Sequence, residues 1–157
     1  MGKKFYLTKE GLERVKKEYE ELKKLKMIKT SGEKPEILHS EDLNPEYLAM
    51  QEDLMFLDFR LRELENILKN VQLIKPPPKE RRNIIDLGAK VTLEDEEGKI
   101  NEFMIVGSLE ANPSEGKISY ESPVGKALLG HKIGDKITIV SPIKVVYTIK
   151  KIKYQLD

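Results

Sequence analysis

Eight side chains recurring at three- and four-residue intervals, Tyr47, Met50, Leu54, Leu57, Leu61, Leu64, Leu68 and Val71, constrain this chain more than any other feature. That spacing places them on one stripe of a single long helix, the seam of a coiled coil. A seam of this kind needs a partner, and Leu12, Val15, Tyr19 and Leu22, continued by Leu25, supply a matching stripe. Thr8 is a suitable N-cap for this first helix, and Glu10 follows in the first turn, where a carboxylate complements the helix dipole. The outer face carries Glu13, Lys16, Lys17, Glu20, Glu21, Lys23 and Lys24, spaced for ion pairs along the helix. Gly32 and Pro35 oppose continuation much beyond Lys29. The second helix has a sharp start: Asn44 as cap and Pro45 at the first helical position, where a missing N–H costs nothing. Running to about Val71, it spans on the order of 40 Å. The two helices make a hairpin, and the acid-rich stretch Ser31-Gly-Glu-Lys-Pro-Glu-Ile-Leu-His-Ser-Glu-Asp-Leu-Asn44 is its far end.

The texture then changes. Lys75-Pro-Pro-Pro-Lys-Glu-Arg-Arg82 cannot continue a helix and favours a stiff extended connector. From Ile84 onward the pattern is that of strands: Val91 and Leu93, then a turn at Asp95-Glu-Glu-Gly98, then Phe103 and Ile105, then Ile118 and Tyr120. Ser122-Pro123 caps a short helix from Val124 to Leu129 that Gly130 closes. Gly134-Asp135 turns into Ile137 and Ile139, and Val145, Tyr147 and Ile149 complete the pattern. The expected class is α+β. An antiparallel hairpin occupies 1–74 with an acidic tip near 31–46, a proline-rich linker follows over 75–83, and a small β-sheet domain with one short helix fills 84–157.

Composition narrows the functions. Net charge is +1, so no global field draws the chain to nucleic acid or membrane, and electrostatic specificity must come from local segregation of charge. The absence of cysteine excludes disulfides and thiol catalysis. No apolar run approaches a membrane span, and the first residues turn polar too soon for a secretory signal. These features are those of a soluble cytoplasmic protein. No nucleophilic triad, phosphate-binding loop or histidine cluster is evident, and His39 has no nearby partner ligands.

Several segments together resemble the bacterial Gre transcript-cleavage factors. Leu7-Thr-Lys-Glu-Gly-Leu12 and Arg60-Leu-Arg-Glu-Leu-Glu65 are similar to the family's two coiled-coil helices. Ile105-Val-Gly, Glu110-Ala-Asn-Pro-Ser-Glu-Gly-Lys-Ile-Ser119, Ser122-Pro-Val-Gly-Lys-Ala-Leu-Leu-Gly130 and Gly134-Asp135 are similar to its FKBP-like carboxy-terminal domain. The resemblance implies a monomer that acts on RNA polymerase. Its carboxy-terminal domain docks through Ser122, Pro123, Leu128, Leu129 and Gly130, and its coiled coil enters the secondary channel. Acids at the tip then help hold a second Mg²⁺ in the polymerase's own active site, and water cleaves the nascent RNA 3′ end of a backtracked complex. Such a factor is no enzyme by itself and holds no cofactor stably alone. Carboxylates suit the task because Mg²⁺ prefers carboxylate and water oxygens and stabilises the attacking and leaving oxygens of a phosphodiester.

At the tip the chain departs from the family pattern. Glu41-Asp-Leu-Asn-Pro-Glu-Tyr47 retains Asp42, Leu43, Asn44, Glu46 and Tyr47, but Glu41 stands where the family has glycine, and the family's second acid has no matched position. Asp42 carries over as the metal-directed carboxylate, with Glu41 or Glu46 as spatial substitutes for the missing acid. Glu46 also reads simply as a helix-dipole partner. Lys23, Lys24 and Tyr47 are candidates for RNA contact. The bland alternatives are a solvated basic face for the lysines and packing beneath the tip for Tyr47. Two other functions compete: a channel-binding protein that modulates or inhibits polymerase without inducing cleavage, and a peptidyl-prolyl isomerase. Fold analogy alone supports the isomerase, and a domain with few aromatics argues against it.

Overall fold

The structure is a computed structural model that describes residues 3–31, 45–140 and 143–154. In chain order its elements are β1 (Phe5–Leu7), α1 (Lys9–Ser31), α2 (Pro45–Lys69), β2 (Val71–Leu73), β3 (Ala89–Asp95), β4 (Ile100–Val106), β5 (Lys117–Ser119), α3 (Pro123–Leu128), β6 (Lys136–Val140) and β7 (Lys144–Tyr154). The described residues gather into two units: residues 12–70, and residues 3–11 with 71–154.

The first unit is the helical hairpin. Leu57, Leu61 and Leu64 of the seam are buried, and Tyr47, Met50, Leu54 and Leu68 are partly so. Ile67 is buried beside them. Cross-helix pairs fix an antiparallel register: Glu18 with Arg60, Tyr19 with Glu65, Lys26 with Asp58, and Lys29 with Asp53. Arg60 grips Glu18 with two nitrogens, at 2.8 and 2.9 Å, and this carboxylate contact is the main reason its guanidinium pKa is raised. Helix α1 runs to Ser31, past the expected fraying point. Its last hydroxyls, though exposed, bond back to the helix backbone, Thr30 Oγ1 donating to Lys26 O at 2.8 Å. Helix α2 stops at Lys69, so Val71 leaves the seam and enters a strand.

The second unit contains two sheets. Strands β1 and β2 pair in parallel, with Phe5 opposite Val71 and Leu7 opposite Leu73. Tyr6 packs edge-on against Tyr120, with centroids 5.5 Å apart, and its carbonyl lies where a side chain on Gly107 would have to go. Residues 3–11 and 71–74 therefore lie with the sheet, whereas the sequence pattern grouped them with the hairpin. The first turn of α1 is held in this unit too. Thr8 Oγ1 accepts from Gly11 N at 3.0 Å, while the Glu110 carboxylate accepts from Thr8 N at 2.7 Å and from the Thr8 hydroxyl at 2.5 Å. In the proline segment Pro78 keeps an extended backbone, with φ −54° and ψ 152°. A 3₁₀ turn at Lys79–Arg81 follows it, and Arg82 Nε donates to Pro77 O at 3.0 Å.

The larger sheet has strand order β5-β4-β3-β7-β6, with β4 and β5 parallel and the remaining pairs antiparallel. Ile85, Ala89, Val91, Leu93, Ile105, Ile118, Leu128, Ile137, Ile139, Ile149 and Tyr154 form its core. Val91, Leu93, Ile105, Ile137 and Ile139 follow the alternation of the sequence. Ile149 and Tyr154 do not share one alternating phase, and a register shift lets both face inward: Leu93 pairs with Ile149 but Thr92 with Lys151, so Lys150 is the extra residue of a bulge. Helix α3 rests on the end of β5, so close that any Cβ on Gly125 would meet Ser119 O.

Tyr154 ties the end of β7 to the segment that precedes β3. Its hydroxyl donates to Ile84 O at 2.6 Å and accepts from Asp86 N at 2.9 Å. Burial is the main cause of its raised pKa, which favours the neutral phenol in the fold. Tyr154→Phe leaves both backbone groups unpaired and lowers stability by about 1–3 kcal/mol at neutral pH. The phenol's contribution is complete below the ordinary tyrosine pKa of about 10 and fades as pH rises through the raised value. Urea melts of the two proteins should therefore differ most at neutral pH and converge under alkali.

Candidate functional site

Glu41 and Asp42 of the proposed tip, with His39 and Asn44, lie outside the described residues. Glu46 is exposed in the first turn of α2. Tyr47, one residue further, is half-buried at the start of the seam, and its hydroxyl accepts from Gln51 Nε2 at 2.8 Å. Packing and a local hydrogen bond thus account for Tyr47 where it stands.

The lysines of α1 fall into three groups. Lys26 and Lys29 are engaged with Asp58 and Asp53 across the hairpin. Lys23 Nζ lies 5.2 Å from the centroid of the Tyr19 ring, a cation–π contact. Tyr19 in turn donates to Glu65 at 2.9 Å, which is the leading cause of its raised pKa. Lys16, Lys17 and Lys24 are exposed and face outward. One further feature of the hairpin escapes the heptad pattern: Met55, Phe56 and Phe59 of α2 stand in solvent, Phe56 at 75% exposure and Phe59 at 64%. Large apolar side chains exposed together on a charged helix mark a contact surface.

On the sheet unit the expected docking residues do different work. Ser122 is the N-cap of α3: its Oγ accepts from Gly125 N at 3.1 Å and donates to Ser119 O at 2.7 Å. Pro123 is exposed at the first helical position. Leu128 is fully buried, so it belongs to the core and its side chain is not available to a partner, a correction to the sequence reading. Leu129 and Gly130 do reach the surface, where they line a shallow recess with Pro77, Pro78, Arg81, Ile84 and Asp86. The proline segment thus supplies one side of this recess, through Pro77, Pro78 and Arg81. Its stiffness makes sense as a wall, which the sequence alone did not show.

The Gly134-Asp135 motif is structural. Asp135 Oδ2 accepts from Lys132 N at 2.9 Å and contacts His131 Nδ1 at 3.2 Å. The Lys132 amide, followed by His131, holds its carboxyl below the usual range. Among the described residues no group of three or more His, Asp or Glu side chains is placed to hold a metal ion. No helix among them is long and apolar enough to cross a membrane.

These features define a two-part protein: a helical hairpin with a leucine seam, and a small mixed sheet with a recess beside a capped short helix. Family profiles match both parts, "Transcription elongation factor, N-terminal" over residues 5–73 and "Transcription elongation factor, GreA/GreB, C-term" over residues 80–154. The transcription elongation factor GreA of Thermomicrobium roseum is 41% identical over 138 residues, covering 87% of this chain and 88% of that protein. The GreA of Geobacillus kaustophilus is 40% identical over 144 residues, covering 89% and 90%. Among solved structures, GreA factor homolog 1 of Thermus thermophilus aligns at 28% identity and a TM-score of 0.43, covering 96% of this chain and 99% of that one. The chain belongs to the GreA/GreB family of transcription elongation factors.

The two leucines at the end of α3 separate fold from function. Leu128→Ala should cost about 2–5 kcal/mol in a urea melt, the usual range for a buried leucine. Leu129→Ala should cost clearly less, with its main effect on partner binding.

Proposed function

We propose that this elongation factor binds bacterial RNA polymerase through the sheet unit, inserts its hairpin in the secondary channel, and stimulates polymerase to cleave backtracked RNA at the 3′ end. The observation that carries this reading is the hairpin. A buried leucine seam and four cross-helix pairs make it stiff, and the amino-terminal family profile covers its whole length. The exposed Met55, Phe56 and Phe59 support insertion against a protein wall. Leu129, Gly130 and the proline-lined recess, together with exposed Pro123, supply a docking surface beside α3. Lys24 and the other outward lysines of α1 suit the phosphates of the nascent strand.

In this reading the factor is not a nuclease itself. Asp42 supplies a carboxylate to a Mg²⁺ shared with the polymerase active site, with Glu41 or Glu46 in support, and the ion stabilises the attacking and leaving oxygens of the phosphodiester. The factor acts as a monomer and keeps no metal of its own.

The second reading rests on the tip sequence, in which the family's second acid has no counterpart. A factor lacking it occupies the same channel and slows synthesis without cleaving. Stalled elongation complexes with radiolabelled RNA separate the two. The first reading requires short 3′ fragments when factor and Mg²⁺ are both present, and their loss on Asp42→Asn with polymerase binding unchanged. Slowed extension without fragments establishes the second. Full cleavage by Asp42→Asn removes the role assigned to that carboxylate.

A further inference from the structure

Helix α2 carries a second stripe on the side away from its buried leucine seam. Leu48, Glu52, Met55, Phe59, Arg62 and Asn66 recur at alternating four- and three-residue intervals, and all six are exposed. That is the spacing of a coiled-coil seam, here presented to solvent. Phe56 borders the stripe at its middle and lines a shallow groove with Leu22 and Leu25 of α1. Stripe and groove lie wholly within the hairpin unit.

The stripe is symmetric about Leu57. Met55 and Phe59 stand two residues from it on either side, Glu52 and Arg62 five, and Leu48 and Asn66 nine. Large apolar side chains thus hold the middle, with an acid beyond one end and a base beyond the other. The charges beside the leucine seam are engaged with α1: Asp53 with Lys29, Asp58 with Lys26, Arg60 with Glu18 and Glu65 with Tyr19. Those of the stripe are not. Neither Glu52 nor Arg62 forms an ion pair among the described residues, and Arg62 Nε reaches only Asp58 O, at 3.4 Å.

We propose that two copies of the free chain pair through this stripe, their α2 helices antiparallel about a two-fold axis at Leu57. A two-fold interface must be self-complementary, residue i meeting residue j and j meeting i. The stripe satisfies this at every position: Met55 meets Phe59, Glu52 meets Arg62 and Leu48 meets Asn66, each pair occurring twice. A parallel pairing sets Glu52 against Glu52 and Arg62 against Arg62, so charge selects the antiparallel arrangement. Six positions on one helix make a small interface, and the dimer is accordingly weak and concentration-dependent. Met55 and Phe59 are also the side chains that insertion would set against a protein wall. Pairing withdraws them, so the dimer is a reserve that must separate before the monomer can act.

The test needs no polymerase, so it stands apart from the cleavage reading. In analytical ultracentrifugation of the full chain, the mass should rise from one chain toward two with concentration. Glu52→Arg and Arg62→Glu should each weaken association about tenfold, because the two-fold repeats the like-charge contact at both ends. Glu52→Arg combined with Arg62→Glu should restore it, which a folding defect would not allow. Phe59→Lys should abolish association while circular dichroism shows unchanged helix content. The chain has no cysteine, so introduced thiols report direction. Under mild oxidation Glu52→Cys mixed with Arg62→Cys should give a crosslinked dimer. Glu52→Cys alone should not, since its two copies lie about 15 Å apart along the axis, beyond disulfide reach. A chain that stays monomeric at every concentration overturns the proposal and leaves the stripe to polymerase. So does a dimer that survives Phe59→Lys, a double charge variant no better than the single ones, or a crosslink formed by Glu52→Cys alone.

Discussion

Ile149, Ile152 and Tyr154 all turn toward the core of the sheet unit, and strict alternation along one strand forbids it. The inserted residue Lys150 resolves the conflict, and much of the unit depends on that single irregularity. With it, Ile149 packs opposite Leu93, and Tyr154 reaches the backbone of Ile84 and Asp86. Without it, either the isoleucine or the tyrosine would face water. The same insertion sends consecutive lysines to one side. One local departure from regular geometry therefore sets both the apolar interior and the charged exterior of β7.

The two units are held by different means. The hairpin relies on a narrow strip of leucines, because the salt bridges along its flanks are substantially exposed and such pairs contribute at most about 1 kcal/mol each. Its sequence is correspondingly rich in charge, and α2 runs unbroken for 25 residues. The sheet unit encloses a branched-aliphatic core and two close backbone approaches, at Gly107 and Gly125, that no side chain would permit. A stiff, polar rod and a tightly packed body suit reaching and holding respectively.

Periodic and local features were legible in the sequence. The seam announced α2, Ser122-Pro123 announced α3, and Val91, Leu93, Ile105, Ile137 and Ile139 announced strands, because each signal lies within a few residues and obeys a known period. Contacts between distant segments were not. The parallel pairing of Phe5–Leu7 with Val71–Leu73 joins residues 66 positions apart and leaves only short strands without marked alternation. Hence the ends of the hairpin were grouped with the helices. The burial of Leu128 beside the exposed Leu129 was hidden for another reason: two adjacent leucines at a helix end carry no information about which one turns inward. The crowding of Lys90, Lys136, Lys151 and Lys153 on the outer side of β3, β6 and β7 was hidden too, because they meet only through register. The family resemblance was written in loops and caps such as Asn112-Pro113 and Gly134-Asp135, which the structure shows to be elements of the fold itself.

Thr8 illustrates how one contact reshapes a general rule. Aspartate ordinarily rivals threonine as a helix N-cap, since either can accept from the third amide of the helix. Here the capping hydroxyl must also give its proton away, because the Glu110 carboxylate sits against it. An ionised aspartate has no proton to offer and would set one negative charge against another. The position is thus reserved for a hydroxyl, serine or threonine, and the direction of its hydrogen bond is fixed by a residue 102 positions away.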